Sequence, residues 1–169
     1  EMGIYDVEVT TIHVWARNLL QDFSLKYDFR VRVLQEGEIM AILENIVSQY
    51  SMTRQLKSRI NVSILYTYVM GNKNMDVSDT YRRTLKSLEA LYITYKEDNM
   101  LYDCNDYPKY LYDVMQMYNE SIYSIDALFV DEFQDVDKYQ LWTFDRVFSN
   151  KKFYIGDPKQ SIYIFRGAD

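Results

Sequence analysis

Apolar residues recur at helical spacing through most of the middle of the chain. The clearest stripe lies on a helix predicted from Glu38, and another helix is predicted to begin with Ser78 or Asp79 as its cap. A further helix is predicted after Pro108, because proline fits the first turn of a helix. Residues 54–70 are also mostly apolar, but their pattern leaves the element type open. The three stripes consist of Ile39, Ile42, Leu43, Ile46, Val47 and Tyr50; Tyr81, Leu85, Leu88, Tyr92 and Tyr95; and Leu111, Val114, Met115 and Tyr118.

Both ends of the chain carry short runs that are typical of β-strands. Residues 7–12 are rich in β-branched side chains and predict a strand, followed by a helix over about 13–23. Residues 126–130 and 153–156 are apolar runs that each end at an acid, which is typical of buried parallel strands. The helix predicted between them is marked by Leu141, Phe144, Val147 and Phe148. This pattern predicts an α/β layer built from both ends of the chain, with ligands outside the carboxyl ends of its strands.

Composition and charge exclude several classes of protein. With 169 residues, 48% of them hydrophobic and only 5 Gly and 2 Pro, the chain is globular and not a disordered or linker-dominated segment. Its single cysteine, Cys104, excludes an internal disulfide and favours a reducing, cytoplasmic location. No apolar run approaches the roughly 20 residues that a membrane span needs. A net charge of −6 argues against a uniformly basic nucleic-acid binder.

Two neighbouring acids, Asp131 and Glu132, close the first predicted strand of the late pair. One carboxylate at a strand end can hold Mg²⁺, while the next can face a water that attacks a terminal phosphate. Because successive residues of a strand point in different directions, the two acids can take different tasks. Such a pair is weak evidence alone, since a solvated strand end is far more common than a catalytic one.

A second motif, GDPKQSIYIFRG at 156–167, follows the second strand of this pair. The Gln160 amide can bond both a phosphate oxygen and a water. On an extended segment, Tyr163 and Phe165 share one face and could stack on unpaired bases, with Arg166 opposite for phosphate. The alternative is that both aromatic side chains belong to the core, as most aromatic residues do.

Two of these segments resemble motifs of superfamily one DNA helicases of the UvrD, Rep and RecB type. VDEFQDVDKYQ at 130–140 and GDPKQSIYIFRGAD at 156–169 resemble the second and third helicase motifs in wording, order and spacing. VTTIHVWARNLL at 9–20 is similar to the TxH-type DNA-contacting motif of that family, and residues 101–103 loosely resemble its Asp-Phe-centred segment. Phe165 stands where UvrD and Rep-like members usually have Trp, so the wording is closer to the RecB and AddA branch.

The resemblance implies both a fold and a function. The fold is α/β, a partial P-loop NTPase (RecA-like) parallel sheet in residues 1–25 and 107–169, with an all-helical subdomain inserted at 26–106. The function is that of a fragment of an ATP-dependent DNA helicase that moves on single-stranded DNA in repair or recombination. The implied cofactors are ATP and Mg²⁺. The implied partners are single-stranded DNA, duplex junctions and the rest of the parent chain, in the nucleoid-associated cytoplasm and not at a membrane.

The resemblance also implies a role for each matching residue. Asp131 would organise Mg²⁺, Glu132 would be the general base for ATP hydrolysis, and Gln160 would sense the terminal phosphate and couple it to DNA. Asp131 and Gln160 would thus bind the nucleotide. The residues that would contact single-stranded DNA are Thr11, His13, Tyr163, Phe165 and Arg166.

The sequence lacks a GxxxxGK[ST] phosphate loop and a second motor domain that could supply an arginine finger. We therefore expect that Glu1 begins partway through the first motor domain, that Asp169 ends before the second, and that this chain alone does not hydrolyse ATP. The alternative is a helicase-like protein without a phosphate loop that only binds DNA or a partner. A phosphate loop within about 100 residues upstream of Glu1 favours the enzyme, and a start codon directly before Glu1 favours the binding module.

Overall fold

A computed structural model describes residues 7–54, 60–122, 125–147, 149 and 151–157. The described residues fall into two compact units, one within residues 1–31 and 106–169 and the other within Arg32–Asn105. The helices are α1 (Ile12–Tyr27), α2 (Glu36–Arg54), α3 (Val62–Val69), α4 (Asp79–Asp98), α5 (Tyr107–Met117) and α6 (Lys138–Asp145). The strands are β1 (Leu128–Val130) and β2 (Lys152–Tyr154), and 3-10 turns cover Cys104–Asp106 and Phe133–Asp135. Within the ranges given, no helix is both long enough and apolar enough to cross a membrane.

The second unit, Arg32–Asn105, is helical in its described part. Helices α2, α3 and α4 pack on one another, and the predicted stripes of α2 and α4 supply most of the core. Ser78 caps α4 as predicted, because its side chain accepts the Tyr81 N–H. Residues 54–70, for which the sequence left the element type open, contain α3. The first N–H groups of this helix donate to the Asn61 side chain. The buried core of this unit consists of Leu34, Ile39, Leu43, Ile46, Val47, Ile60, Leu65, Tyr68, Val69, Leu85, Leu88 and Tyr92.

A buried ion pair fixes the chain that follows α4 onto that helix. Asp103 is 1% exposed, and its Oδ2 accepts hydrogen bonds from Lys96 Nζ at 2.8 Å and from the Tyr92 hydroxyl at 2.9 Å. Its Oδ1 accepts the Asn105 N–H at 2.8 Å. Asp103, the last residue of the loosely matching 101–103 segment, therefore holds a structural position inside this unit.

The first unit packs helices α1, α5 and α6 beside a small sheet. The buried face of α1, centred on Leu20, contacts the buried face of α5, centred on Leu111. Pro108 lies in the first turn of α5, as predicted. Strands β1 and β2 are parallel, and Phe129 lies opposite Phe153 in their register. The described residues thus form a mostly helical structure with a two-stranded parallel sheet.

Two predictions for the ends of the chain were wrong. Residues 7–11 form no strand, and Val9 is 91% exposed. Thr11 instead caps α1, because its Oγ1 accepts the Val14 N–H at 3.3 Å. Strands β1 and β2 are not buried throughout, since Phe129 is 65% exposed and stacks on the half-exposed Phe153. Among the residues that the structure describes, a strand forms only in the two late apolar runs, at Leu128–Val130 and Lys152–Tyr154, where each run has the other as a parallel partner.

The helix between the two strands ends before the last two apolar positions that were predicted for it. Leu141 and Phe144 lie in α6, and Phe144 is buried. Val147 follows the helix and instead forms a parallel bridge with Ile122. Phe148 lies outside the described residues. The strand, helix, strand order of the prediction is confirmed.

Candidate active site

The carboxyl ends of β1 and β2 lie at one edge of the sheet because the strands are parallel. The ladder continues past the strands, since Ile155 N–H donates to the Val130 carbonyl at 2.8 Å and Phe133 N–H to the Ile155 carbonyl at 2.9 Å. Asp131 and Glu132 follow β1 directly, and Asp157 follows β2 after two residues. The acids that follow both strands, Asp131, Glu132 and Asp157, therefore lie at the same edge of the sheet.

Asp131 and Glu132 lie on a sharp backbone turn. Glu132 has φ 52° and ψ 40°, a left-handed conformation that costs a non-glycine residue about 1–2 kcal/mol. Its N–H donates to Asp131 Oδ1 at 2.9 Å, and a 3-10 turn begins at the next residue. Both acidic residues are exposed, so water and a ligand can reach both carboxylates.

Gln134 bridges the two strand ends. Its Nε2 donates to Glu132 Oε2, and its Oε1 accepts the Asp157 N–H at 3.0 Å. Gly156 makes room for this bridge, because a Cβ there would lie 2.5 Å from Gln134 Oε1. Sequence reasoning missed Gln134. Its signals were an amide two residues after Glu132 and a glycine directly before Asp157.

The chain then leaves the edge of the sheet through a capped helix. Asp137 caps α6 in a capping box, in which its Oδ1 accepts the Tyr139 and Gln140 N–H groups at 2.9 Å. Just before it, Asp135 Oδ1 is buried and has no hydrogen-bond partner among the described residues. The sequence analysis did not single out Asp135. Its Oδ1, close to the strand ends, is an acceptor without a hydrogen bond from any described residue.

The first turn of α1 lies beside the end of β1. Ile12 and Trp15 pack against the cluster that contains Val130, and the Trp15 and Phe144 ring centroids are 6.1 Å apart. Thr11 is the exposed cap of this helix, and His13 is a half-buried residue in its first turn. The structure thus brings the segment of Thr11 and His13 to the side of the sheet where β1 ends.

The remaining predicted site residues, Gln160, Tyr163, Phe165 and Arg166, lie outside the described residues. That Asp131 and Gln160 bind the same nucleotide therefore stays a prediction. In the described part, no group of three or more His, Cys, Asp or Glu side chains could hold a metal ion together. Mg²⁺ bound with a nucleotide takes one or two protein carboxylates and completes its shell with phosphate and water. The exposed Asp131 carboxylate fits that requirement.

Comparison with curated proteins finds relatives named as the RecB subunit of the RecBCD enzyme and as a subunit of an ATP-dependent helicase/nuclease. The chain is 56% identical over 43 residues to the RecBCD enzyme subunit RecB of Buchnera aphidicola subsp. Schizaphis graminum, covering 24% of this chain and 4% of that protein. It is 50% identical over 44 residues to the RecB protein of Escherichia coli K12, with the same coverage. It is 32% identical over 104 residues to one of the subunits of the ATP-dependent helicase/nuclease of Oenococcus oeni, covering 59% of this chain and 9% of that protein.

The matched segments therefore span less than a tenth of the length of these relatives. The UvrD/REP helicase N-terminal domain family matches residues 1–169, the whole of the chain. The parallel strands with acids at their carboxyl ends are compatible with the α/β fold of such a domain. The chain belongs to the UvrD/REP helicase N-terminal domain family.

Proposed function

We propose that this chain is part of an ATP-driven motor that moves on single-stranded DNA in repair or recombination. The observation that carries the proposal is the exposed pair Asp131 and Glu132 at the edge where the parallel strands β1 and β2 both end. Ligands of parallel sheets bind outside this edge. Membership of a helicase family and relatives named as RecB and as an ATP-dependent helicase support the same activity.

In the proposed reaction, water attacks the terminal phosphorus of ATP and the bond to the bridging oxygen of ADP breaks. When bound together with ATP, Mg²⁺ would supply positive charge against the phosphate oxygens. A carboxylate oxygen of Asp131 would hold that ion, while Asp131 Oδ1 accepts the Glu132 N–H. Glu132 accepts the proton of the attacking water, a role that its exposed carboxylate can fill. The reaction thus yields ADP, phosphate and a protonated Glu132, which returns the proton to solvent.

The DNA side of the motor is proposed from the matching motifs. Thr11 and His13, on the first turn of α1, would contact single-stranded DNA near the end of β1. Gln160 would sense the terminal phosphate and couple it to the stacking segment. The residues of that segment are Tyr163, Phe165 and Arg166. Such a motor would act at single strands and duplex junctions of nucleoid-associated DNA in the cytoplasm, together with the rest of its polypeptide.

The test is ATP hydrolysis by the complete polypeptide that carries residues 1–169. We expect Glu132→Gln to lower the DNA-stimulated turnover about 100-fold or more, because the general base is lost. Nucleotide affinity should remain, since the amide keeps the size of the side chain. Glu8→Gln, a change at another exposed glutamate of the same unit, is the matched control.

Two results would contradict the proposal in different ways. Near-normal turnover by Glu132→Gln would remove Glu132 as the base. An unmodified polypeptide that binds single-stranded DNA but hydrolyses no ATP would instead support a DNA-binding or partner-binding protein without ATPase activity.

A further inference from the structure

We propose that Gln134 is a positioning residue for ATP hydrolysis, which holds the Glu132 carboxylate and ties it to the chain after β2. The inference rests on the proposed function of Glu132 as the general base. Its evidence is independent of the family, because it comes from contacts of Gln134 with Glu132 and with Asp157.

The two partners of Gln134 require an amide. A backbone N–H, here that of Asp157, can only donate, and an ionised carboxylate, here that of Glu132, can only accept. A side chain that satisfies both must present an acceptor and a donor from one planar group. The Gln134 amide does so, with Oε1 3.0 Å from the Asp157 nitrogen and Nε2 bonded to Glu132 Oε2. The same two contacts fix which end of the amide is oxygen.

Gly156 leaves the space that the bridge occupies. A Cβ at this position would lie 2.5 Å from Gln134 Oε1 and 3.0 Å from the backbone nitrogens of Phe133 and Gln134. Because backbone atoms stand on one side, a larger residue could be accommodated only by displacing the Gln134 side chain and the turn beside it. The lack of a side chain at Gly156 thus allows the Gln134 amide to accept the Asp157 N–H.

The bridge restrains an exposed side chain of the site. Glu132 is exposed, so its carboxylate would otherwise sample several rotamers in water. A hydrogen bond from Gln134 restricts those rotamers, and the bond to Asp157 anchors Gln134 in turn. A general base must stand within hydrogen-bond reach of the water it activates, so loss of this restraint should slow turnover more than it weakens nucleotide binding.

The test compares Gln134→Glu and Gln134→Met in the complete polypeptide, with saturating single-stranded DNA. Gln134→Glu keeps an acceptor for the Asp157 N–H but loses the donor to Glu132, whereas Gln134→Met loses both. We expect both variants to lower kcat about tenfold or more, the effect of a lost hydrogen bond to a charged group. The affinity for a non-hydrolysable ATP analogue and the Tm should remain near those of the unmodified protein.

A structural role alone predicts a different pattern. In that case Gln134→Glu, which keeps the bond to Asp157, would retain a kcat within about twofold of the unmodified protein, and this result overturns the inference. A parallel loss of kcat, nucleotide affinity and Tm in both variants would overturn it as well. Gln116→Glu, an exposed change on α5, is the control for the added charge.

Gly156→Ala supplies a second measurement that leaves both partners of the bridge in place. We expect it to lower kcat as the Gln134 variants do, and to cost less in a Gln134→Ala background, where the 2.5 Å overlap is absent and only the 3.0 Å contacts with the backbone nitrogens remain. Additive losses would contradict the inference. Failure of the proposed function is distinguishable, because the unmodified polypeptide would then hydrolyse no ATP, or Glu132→Gln would retain turnover, whatever the Gln134 variants do.

Discussion

Glu120 ties the end of α1 to the chain that follows α5 in the first unit. Its side chain is nearly buried, and its Oε1 accepts hydrogen bonds from Lys26 Nζ and the Tyr27 hydroxyl. Its backbone carbonyl accepts a hydrogen bond from Arg146 at 3.0 Å. The hydrogen bond from Lys26, followed by that from Tyr27, lowers the pKa of Glu120. The ionised form of this carboxylate therefore stabilises the folded state.

We expect Glu120→Gln to lower the Tm by a few degrees at pH 7. A carboxyl group whose pKa is lower in the folded than in the unfolded state contributes stability above its unfolded pKa, near 4.5. That stability is lost as the pH falls through the lowered folded pKa, so the difference in Tm should shrink on acidification. Thermal melts from pH 7 to pH 3 check this, with the exposed Glu97→Gln as control. An equal loss of Tm at both ends of that range would contradict the assignment.

The sequence predicted the position of single residues along the strands better than the contacts between residues. Asp131 and Glu132 were predicted at the end of a strand and are found there, because an acid after an apolar run is a local pattern. Gln134 was missed because its role depends on Asp157, which lies 23 residues further along the chain. Only the parallel pairing of β1 and β2 brings those two residues together.

Helix α4 carries one partner of a buried ion pair, between Lys96 and Asp103. The Lys96 and Asp103 side chains are 9% and 1% exposed and are 2.8 Å apart. Burial of such a pair is stabilising only while both partners are present, since one charge alone is left without its counterion in a poorly solvated position. The pair therefore links the stability of α4 to the chain that follows it.

We expect Lys96→Met to lower the free energy of unfolding of the second unit by about 3 kcal/mol, because the buried Asp103 carboxylate would lose the ammonium group that it contacts. Methionine keeps the apolar stem of the side chain, so the loss reports the charge and not the packing. Urea denaturation measures it, with Lys86→Met on the exposed face of α4 as control. A loss below about 1 kcal/mol would show that the hydrogen bonds from Tyr92 and Asn105 suffice for Asp103.

Elements defined by local spacing were predicted well, and those that need a distant partner were not. The stripes of α2, α4 and α5 identified buried faces except at Tyr95, which is 38% exposed, since residues three and four apart share a side of a helix. Residues 7–12 have strand composition, but the hydrogen bond from the Val14 N–H to Thr11 begins α1 at this point. Likewise Phe129 looked buried from its apolar neighbours, although it lies on the exposed face of the sheet.

For the chain as a whole, membership of a helicase family and the exposed acids at the sheet edge both support the proposal of ATP hydrolysis. The UvrD/REP helicase N-terminal domain family covers the whole chain, while the curated relatives are matched over less than a tenth of their length. The roles proposed for Asp131 and Glu132 are therefore to be tested in the complete polypeptide that carries these residues.

A crystal structure of that complete polypeptide with Mg²⁺ and a non-hydrolysable ATP analogue would decide the roles proposed for Asp131 and Glu132. It should show Asp131 bound to Mg²⁺ at about 2.1 Å or through one water, and a water held between Glu132 and the terminal phosphate. A nucleotide whose terminal phosphate lies away from the edge where β1 and β2 end, with both acids facing only solvent, would contradict the account.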